Sequence, residues 1–580
     1  MFNFSYSNIN NFFTQFVSTY SSNNSRILYK FNHLIQFLSI ISFVWFWVIL
    51  DSAPQLIASF FTLSEFQVYV YIFELVLIFP MLSLFILKFF FNSSDWVLKR
   101  HALLLTSFSF LISLKLLYYV SYSDTSSEVL YTSELWRIAQ LTQDFSVFQF
   151  TYLSHLLTES FAFYLDGVSL FFILLTTFLI PVCILVSWYS QLDRVFLFLQ
   201  TLLILEIILV NCFFVSNLLF FFIFFEAVLF PMFFIIGIWG SRDRKIHAVY
   251  QFLLYTLVGS VFLYVAIFYL WTQYDTLDFL LLKSSQINFT DQKILFWLLF
   301  ISFAFKIPLF PVHIWLPEAH VEAPTFGSII LAGLLLKLGT YGMMRFLIPI
   351  VPDAVQYFSP IVLVIVTIGI FYTSFSTTRQ LDLKKIIAYS SIGHMGFVIL
   401  GLFTTLADGF AGSLHMMIGH GVVSSALFMS VGFIYDRYHT RNIPDLRGLA
   451  RFMPFFAIFF LIFTLANVSF PGTFNFVAEV GVLLALMRIN IFMTVVVVFS
   501  IIFIMVYAFW LYNRVMYGSS LLVFDKYAII GKYMDLSLRE FTLFMLFAFL
   551  TIFFGIYPNL VLDFFTPYCE YLELSVNYAI

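Results

Sequence analysis

Charged side chains are scarce in this sequence. Its 580 residues include 28 Lys and Arg and 31 Asp and Glu, so that only 10% of the chain is charged. A soluble domain carries roughly a quarter charged residues, and the deficit therefore excludes a soluble fold. The chain is 62% hydrophobic, with 82 phenylalanines. Because the deficit extends along the whole chain, it predicts an all-α polytopic membrane protein.

Other absences exclude whole classes of function. Cys183, Cys212 and Cys569 are too far apart for a zinc or iron–sulfur motif, and we interpret them as small buried hydrophobic residues. A net charge of -3 without a basic stripe excludes a nucleic-acid partner. Neither a Walker A loop nor a dinucleotide-binding glycine pattern is present. We therefore expect no cofactor and no metal in this chain, and any redox or ATP chemistry must occur elsewhere.

Apolar runs long enough to cross a bilayer, about 20 residues each, predict fifteen membrane spans. Fourteen form a core that begins near residue 66, and one additional span lies near 34–50 in an N-terminal extension. The predicted spans are 34–50, 66–91, 102–120, 161–188, 195–215, 217–239, 247–271, 293–316, 325–349, 357–376, 384–404, 407–434, 453–486, 490–515 and 540–562. The predicted divisions are an extension over 1–65, first core helices and an acidic connection over 66–194, repeats over 195–349 and 357–515, and a last helix with its tail over 516–580.

The orientation follows from the loop charges. Five basic clusters, from Arg26 and Lys30 to the arginines of 437–451, fall on one side of this count, and the acidic connection 121–160 falls on the other. By the positive-inside rule, the loops on the inner side of a membrane carry more Lys and Arg than those on the outer side. We therefore expect the N-terminus inside and the C-terminus outside.

Four charged residues stand deep within predicted spans: Glu226, Lys306, Lys337 and Glu479. A charge at mid-bilayer costs about 2.5–3.5 kcal/mol, so each one is a functional candidate. A single such residue is equally well explained by snorkelling or by an interhelix pair. Two acids and two lysines, each far from its helix ends, favour a path for ions or protons.

Two of these charges lie next to helix breakers. Pro308 and Pro311 follow Lys306, and a proline removes the N–H that the carbonyl four residues earlier would accept. The carbonyls of Ala304 and Ile307 are therefore expected to lose their helical partners. Glu479 likewise follows Pro471-Gly472. Broken helices carrying charge are typical of mid-membrane transport sites, and breaks in the eighth and thirteenth spans, five apart, predict two inverted five-helix repeats.

Two histidines extend the set. His394 and His420 each have a serine one helical turn away, and neutral imidazole both accepts and donates protons near physiological pH. We assign both to a proton relay. Weaker candidates, for which a structural role is at least as well supported, are His313, His320, His415, Glu74, Lys115 and Glu206.

Several stretches carry a family resemblance. They are LDGVSLFFILLTTFLIP (165–181), the segment 224–260 beginning FFEAVLFP, FKIPLFPVHIWLPEAHVEAPTFGSIILAGLLLKLGTYGMMRF (305–346) and RQLDLKKIIAYSSIGHMGF (379–397). These resemble the chain 4 family of proton-pumping NADH:ubiquinone oxidoreductase, respiratory complex I. The resemblance runs from about residue 66 to the C-terminus. Glu479 favours chain 4 over its sister chains, where a lysine is usual, and a long lateral helix typical of chain 5 is not predicted.

The resemblance implies a proton-translocating, antiporter-like subunit with fourteen helices. It implies that Glu226 pairs with Lys306, and that protons pass along a hydrated axis through Lys337, His394 and His420 to Glu479. It also implies partners: other membrane-arm subunits, including two sister antiporter-like chains, and phospholipids, cardiolipin among them. FMN, iron–sulfur clusters and ubiquinone are expected in other subunits.

The expected location is the mitochondrial inner membrane. The N-terminal residues lack the Arg-rich character of a transit peptide, and the Phe and Tyr excess is typical of an AT-rich genome, so organelle encoding is expected. Two alternatives stay open at this point. One is a subunit of a multi-chain cation/proton antiporter, which shares the fold and the charged residues, and the other is a non-conducting membrane scaffold.

Overall fold

The computed structural model describes residues 65–90, 93–122, 129–132, 162–190, 192–519 and 535–577. The expected span near 34–50 and most of the connection 121–160 lie outside these residues. The chain divides into two units, Met1–Ile72 and Phe73–Ile580. All packing described below is within the second unit.

The described residues are almost entirely helical. The two short exceptions are antiparallel strands that pair Val129 with Leu165. In chain order the elements are α1 (Glu65–Phe89), α2 (Asp95–Tyr122), β1 (Val129–Thr132), β2 (Ala162–Leu165), α3 (Gly167–Val186), α4 (Val195–Phe214), α5 (Leu218–Ala227), α6 (Leu229–Trp239), α7 (Lys245–Tyr274), α8 (Phe279–Ser284), α9 (Phe289–Lys306), α10 (Trp315–Glu322), α11 (Thr325–Ile330), a π-helical turn (Leu331–Leu335), α12 (Leu336–Gly342), a second π-helical turn (Met343–Leu347), α13 (Ile348–Ile350), α14 (Pro352–Thr378), α15 (Leu383–Leu402), α16 (Ala407–Tyr438), two 3-10 turns (Ile443–Asp445 and Leu449–Arg451), α17 (Pro454–Asn467), α18 (Phe474–Ile489), α19 (Ile491–Met516), α20 (Leu538–Ile556) and α21 (Asn559–Asn577).

The number of spans agrees with the sequence prediction. Within the described residues, twelve helical segments are long and apolar enough to cross a membrane. Two further segments, α9 with α10 and α17 with α18, are interrupted helices. The predicted class, an all-α polytopic membrane protein with about fourteen core spans and two broken helices, is confirmed.

The most deeply buried segments are the two that carry Lys337 and His420. The apolar windows of 325–350 and of α16 are 100% buried within the protein. Small residues allow this packing: a Cβ added to Gly339 would lie 2.5 Å from Cγ1 of Ile307, which directly follows α9, and one added to Gly333 would lie 2.9 Å from Oγ of Ser425 on α16. Close helix contact therefore holds Lys337 between the first broken helix and α16.

The C-terminal region differs from the predicted last span of 540–562. Helix α20 ends at Ile556, and α21 follows after Pro558. One face of α21 is apolar and buried, through Phe565, Cys569 and Leu572, and it packs on α3, α13, α14 and α16. The segment predicted as a tail is thus a packed amphipathic helix.

Polar contacts fix the ends of several helices. Asp166 caps α3 in a capping box with Ser169, and its Oδ2 lies 2.8 Å from Nη1 of the buried Arg345. Tyr568 of α21 donates to the carbonyl of Met344 over 3.4 Å. The carboxylate of Asp166 therefore joins the start of α3 to the second π-helical turn, which contains Arg345.

Candidate functional site

Lys306 is the last residue of α9, where the first broken helix is interrupted. Its Nζ donates to the carbonyl of Phe225 over 3.1 Å and lies 4.3 Å from the centroid of the same phenyl ring. The side chain is 3% exposed. A backbone carbonyl and an aromatic face both favour a cation in this place.

The break after Lys306 has its own hydrogen bonds. The expectation that Ala304 loses its partner is wrong, because the N–H of Leu309 donates to its carbonyl over 3.0 Å, one residue further along than in an α-helix. The displaced carbonyl, that of Phe305, accepts instead from the indole of Trp315 over 3.0 Å. The break is therefore stabilised within the protein, as non-helical backbone in a membrane requires.

Glu226 lies next to the Lys306 contact but does not pair with it directly. Both carboxylate oxygens of Glu226 are buried and form no hydrogen bond of regular geometry, although Ser260 lies beside them. The ion pairs within 4.0 Å in the described part of the chain do not include Glu226 with Lys306. The implied pairing is thus not a contact ion pair, because Nζ of Lys306 is directed at the carbonyl of the preceding residue, Phe225.

Lys337 is completely buried in α12, between the two π-helical turns. Its Nζ donates to the carbonyl of Ala332 and lies 2.9 Å from Nδ1 of His420. Since an ammonium group has donors only, Nδ1 of His420 accepts. The proton of a neutral His420 is therefore on Nε2, which is buried and makes no hydrogen bond.

Lys337 and His420 begin a row of buried ionisable side chains that continues through His394 to Glu479. The ring centroids of His420 and His394 are 5.6 Å apart. Nδ1 of His394 lies 3.3 Å from Oε1 of Glu479, although neither atom forms a hydrogen bond with regular geometry. His394 and Glu479 are 0% and 4% exposed. The structure thus brings four of the six predicted residues into one buried row.

Sequence reasoning missed Asn467, which fixes the orientation of His394. Its Oδ1 accepts from Nε2 of His394 over 3.1 Å, and Tyr507 lies beside both Asn467 and Ser390. This bond places the proton of neutral His394 on Nε2 and turns the lone pair of Nδ1 toward Glu479. An amide at the end of α17, where the second broken helix is interrupted, was the available signal.

His320 is more deeply placed than predicted. The predicted span ended at 316, whereas the structure continues as α10 and buries His320 completely. Its ring stacks on Phe428 with centroids 4.5 Å apart, and both ring nitrogens lack hydrogen-bond partners. It lies close enough to Lys337 and Lys384 for both charges to act on it.

Lys384 connects this histidine to the predicted inner face. Its Nζ donates to the carbonyl of Ala323 over 2.6 Å and to Oγ of Ser328 over 3.3 Å. A cavity of about 340 Å³ opens nearby, between the loop before α7, helix α10 and the start of α15. It is lined by Arg242, Arg244, Glu318, Val321, Glu322, Arg379, Gln380, Leu381, Asp382, Lys385 and Asn442. Polar access from this face therefore reaches α10.

Lys306 and Glu206 are predicted candidates that do not contact the buried row. Lys306 and Lys337 share no direct contact in the structure, although Gly339 packs on Ile307 beside them. Glu206 is buried between α2 and α4, where it accepts from Oγ of Ser109 over 2.8 Å. The described residues contain no group of three or more His, Cys, Asp or Glu placed to hold a metal ion.

The fold and this buried row define a class: polytopic membrane subunits of the antiporter-like kind. The family described as "NADH:quinone oxidoreductase/Mrp antiporter, TM" matches residues 215–504. Two solved structures have similar folds. They are a chain of respiratory complex I from Thermus thermophilus, with a TM-score of 0.73 and 24% identity, and a chain of the Mrp complex from Dietzia sp., with a TM-score of 0.73 and 17% identity. Each covers 87% of this chain and is itself 99% covered.

Curated relatives narrow the class. NADH-ubiquinone oxidoreductase chain 4 of Chondrus crispus is 45% identical over 484 residues, 83% of this chain and 94% of the relative. That of Acanthamoeba castellanii is 49% identical over 399 residues, 69% of this chain and 79% of the relative. The protein belongs to the NADH-ubiquinone oxidoreductase chain 4 family.

Proposed function

We propose that this chain is a proton-translocating core subunit of the membrane arm of respiratory complex I. It would couple NADH oxidation and ubiquinone reduction, which take place in other subunits, to proton movement across the membrane. The observation that carries the proposal is the buried row Lys337, His420, His394 and Glu479. Burying this many ionisable groups is costly, and in membranes such groups mark proton relays.

The proton path can be followed through the row. Protonated Lys337 donates to Nδ1 of His420, so a proton can move onto that nitrogen along an existing hydrogen bond. His420 can then release its Nε2 proton, which an ordered water could carry across the gap to His394. Nδ1 of His394 accepts it and faces Oε1 of Glu479. The first transfer uses a donor and an acceptor that the geometry already orients, whereas the later transfers need a bridging water or a small side-chain shift.

Glu226 and Lys306 are proposed to control proton movement along the path, without passing a proton directly from one to the other. An anionic Glu226 would favour the charged form of Lys306, because an opposite charge nearby stabilises an ammonium group. When a neighbouring subunit disturbs that interaction, Lys306 would release its proton toward Lys337 through water. This coupling needs no redox group in this chain.

Access from the inner face is proposed to start in the polar cavity beside α10. Glu322 lines that cavity and is 2% exposed, and its Oε2 lacks a hydrogen-bond partner. Lys384 follows the cavity-lining Asp382 by two residues and binds Ser328, and His320 is close enough to Lys384 and Lys337 for both charges to act on it. Protons would enter along this line of polar groups.

We further propose the setting of the chain. The two repeats would comprise 195–349 and 357–515, with one broken helix in each. The partners would be other membrane-arm subunits, including two sister antiporter-like chains, and phospholipids such as cardiolipin. The location would be the mitochondrial inner membrane, with the gene in the organelle. Chain 4 relatives from three eukaryotes, Chondrus crispus, Acanthamoeba castellanii and Arabidopsis thaliana, support the mitochondrial location.

The test uses the assembled complex in proteoliposomes. Lys337→Ala and Glu479→Gln should each reduce NADH-driven proton pumping at least about tenfold, since a relay step typically contributes 10²-fold or more. Lys88→Ala, at a half-buried lysine near the exposed Asp95, is the matched control and should pump normally. Normal pumping by both site variants would contradict the proposal and favour a scaffold. Sodium-linked exchange without NADH oxidation would favour the antiporter alternative.

A further inference from the structure

His415 is a buried histidine that the proposed row does not use. It lies on α16, is 0% exposed, and neither ring nitrogen makes a hydrogen bond. Its ring packs on that of Phe474 with centroids 4.4 Å apart. A fully buried imidazole with two unsatisfied nitrogens is unusual, because most buried polar atoms in proteins have a partner.

Asn475 on α18 has the same property. It is 0% exposed, and both its amide nitrogen and its amide oxygen lack hydrogen-bond partners. Its Oδ1 would lie 2.7 Å from a Cβ added to Gly419. Gly419 is one helical turn from His415, so both lie on the same face of α16.

The packing of α16 on α18 brings these groups to the level of Glu479. Gly419 contacts Phe474 and Asn475, whereas Gly412 contacts the backbone at Ala478 and Val482. The helices therefore run in opposite directions, and His415, between those glycines, faces the turn between Asn475 and Glu479. Oε1 of Glu479 also lacks a regular hydrogen bond.

Five unsatisfied polar atoms thus border one interface: two nitrogens of His415, two amide atoms of Asn475 and one oxygen of Glu479. An apolar void would leave all of them without partners, which is energetically unfavourable. A buried water typically makes about three hydrogen bonds to such groups. The set contains both donors and acceptors, as a water cluster requires.

We propose that His415 and Asn475 line a buried water cluster that contacts Glu479. They are positioning residues: the water they hold solvates the carboxylate and provides the next acceptor for its proton, while the side chains themselves keep their protonation states. This inference rests on the proposed function and adds two residues to its last step.

The first test is a cryo-electron microscopy map of the complex in a membrane mimic, at a resolution that shows ordered water. Density is expected within hydrogen-bonding distance of His415, Asn475 and Glu479. A dry interface, with the side chains bonded to one another or to backbone, would overturn the proposal regardless of any variant.

The second test compares His415→Phe, Asn475→Leu and His415→Gln in the assembled complex, measured as NADH-driven proton pumping. The two apolar variants should lose at least about fivefold in pumping rate, whereas His415→Gln, which still binds water but does not titrate, should stay within about twofold of the original. Equal losses in His415→Gln and His415→Phe would refute a water-holding role, and so would normal pumping by both apolar variants.

Matched measurements separate this inference from the proposed function. His101→Phe removes a histidine on α2, whose Nε2 bonds Ser83 over 3.0 Å, and should pump normally. If Lys337→Ala abolishes pumping while the apolar variants at 415 and 475 do not reduce it, only the water cluster is refuted. If Lys337→Ala pumps normally, the proposed function itself fails.

Discussion

Nζ of Lys337 lies 2.9 Å from Nδ1 of His420, and this contact joins the two halves of the membrane domain. Lys337 belongs to the segment before Pro352, and His420 to the segment after it. Among the described membrane spans, the two that carry these residues are completely buried inside the protein. The proposed path therefore passes between the halves at a place remote from lipid and bulk water.

Replacing His420 tests whether this contact carries protons. His420→Gln retains an oxygen that can accept from Lys337 but removes a group that takes a proton. We expect the complex to assemble and NADH-driven proton pumping to fall at least about tenfold. His439→Gln, at an exposed histidine that ends α16, is the control. Pumping within twofold of normal in His420→Gln would show that the contact is structural.

Replacing Gly339 tests whether close packing positions the lysines. In Gly339→Ala the new Cβ would lie 2.5 Å from Cγ1 of Ile307 and 3.1 Å from the carbonyl of Phe303. Overpacking of this kind costs about 1–3 kcal/mol and should displace the end of α9 that carries Lys306. Gly237→Ala, where nothing lies within 4 Å of the added Cβ, should be neutral. Pumping and the thermal inactivation midpoint are measured for both, and equal behaviour would contradict the prediction.

Replacing Trp315 tests how the first helix break is stabilised. Trp315→Phe retains the ring but leaves the carbonyl of Phe305 without the indole donor. An unsatisfied buried carbonyl costs about 1–3 kcal/mol, so the inactivation midpoint of the complex should fall. The matched variant is Trp297→Phe on α9, whose ring packs on Phe300 and Phe358. A similar midpoint in both would mean that the indole bond contributes nothing.

Replacing Asp166 tests the contact between α3 and the second π-helical turn. Asp166→Ala removes the cap of α3 and leaves Arg345, 2% exposed, without its carboxylate. Breaking a buried ion pair by removing one partner costs about 3–5 kcal/mol. Asp166→Asn retains a capping oxygen and should lose less. Arg488→Ala, in an exposed pair with Asp408, should lose under about 1 kcal/mol. The yield and the thermal stability of the assembled complex are measured for the three variants, and the loss should be largest in Asp166→Ala and smallest in Arg488→Ala.

The fold could be predicted from the sequence to a large extent, because hydropathy follows directly from the requirement to bury backbone in lipid. Within the described residues, most predicted spans and both helix breaks agree with the structure to within a few residues, whereas the span near 34–50 lies outside them. Helix α21 was not predicted, since an amphipathic helix of 19 residues with Pro567 inside it resembles a polar tail in composition.

The residues of the candidate site could be predicted from the sequence better than the geometry of their contacts. Lys337 and Glu479 stand out because a charge in an apolar run is rare. The role of Asn467 depends on the place where α17 stops, and the only signal for it is an amide next to the second helix break. The direction of the Lys306 side chain depends on a carbonyl of α5, which leaves no pattern in the sequence. His320 was underestimated because a straight span would have ended before it.

The junction between the two halves has a mechanical consequence. Only Val351 separates α13 from α14, and α21 lies across that junction, with its backbone carbonyl at Val576 accepting from Gln356 and its Glu573 accepting from the N–H of Ala407. Because a one-residue hinge covered by a helix leaves little room for backbone rotation, we expect large-scale rocking of one half against the other to be unfavourable. Changes that cross this protein are then expected to be carried by shifts of protons and side chains within a rigid backbone.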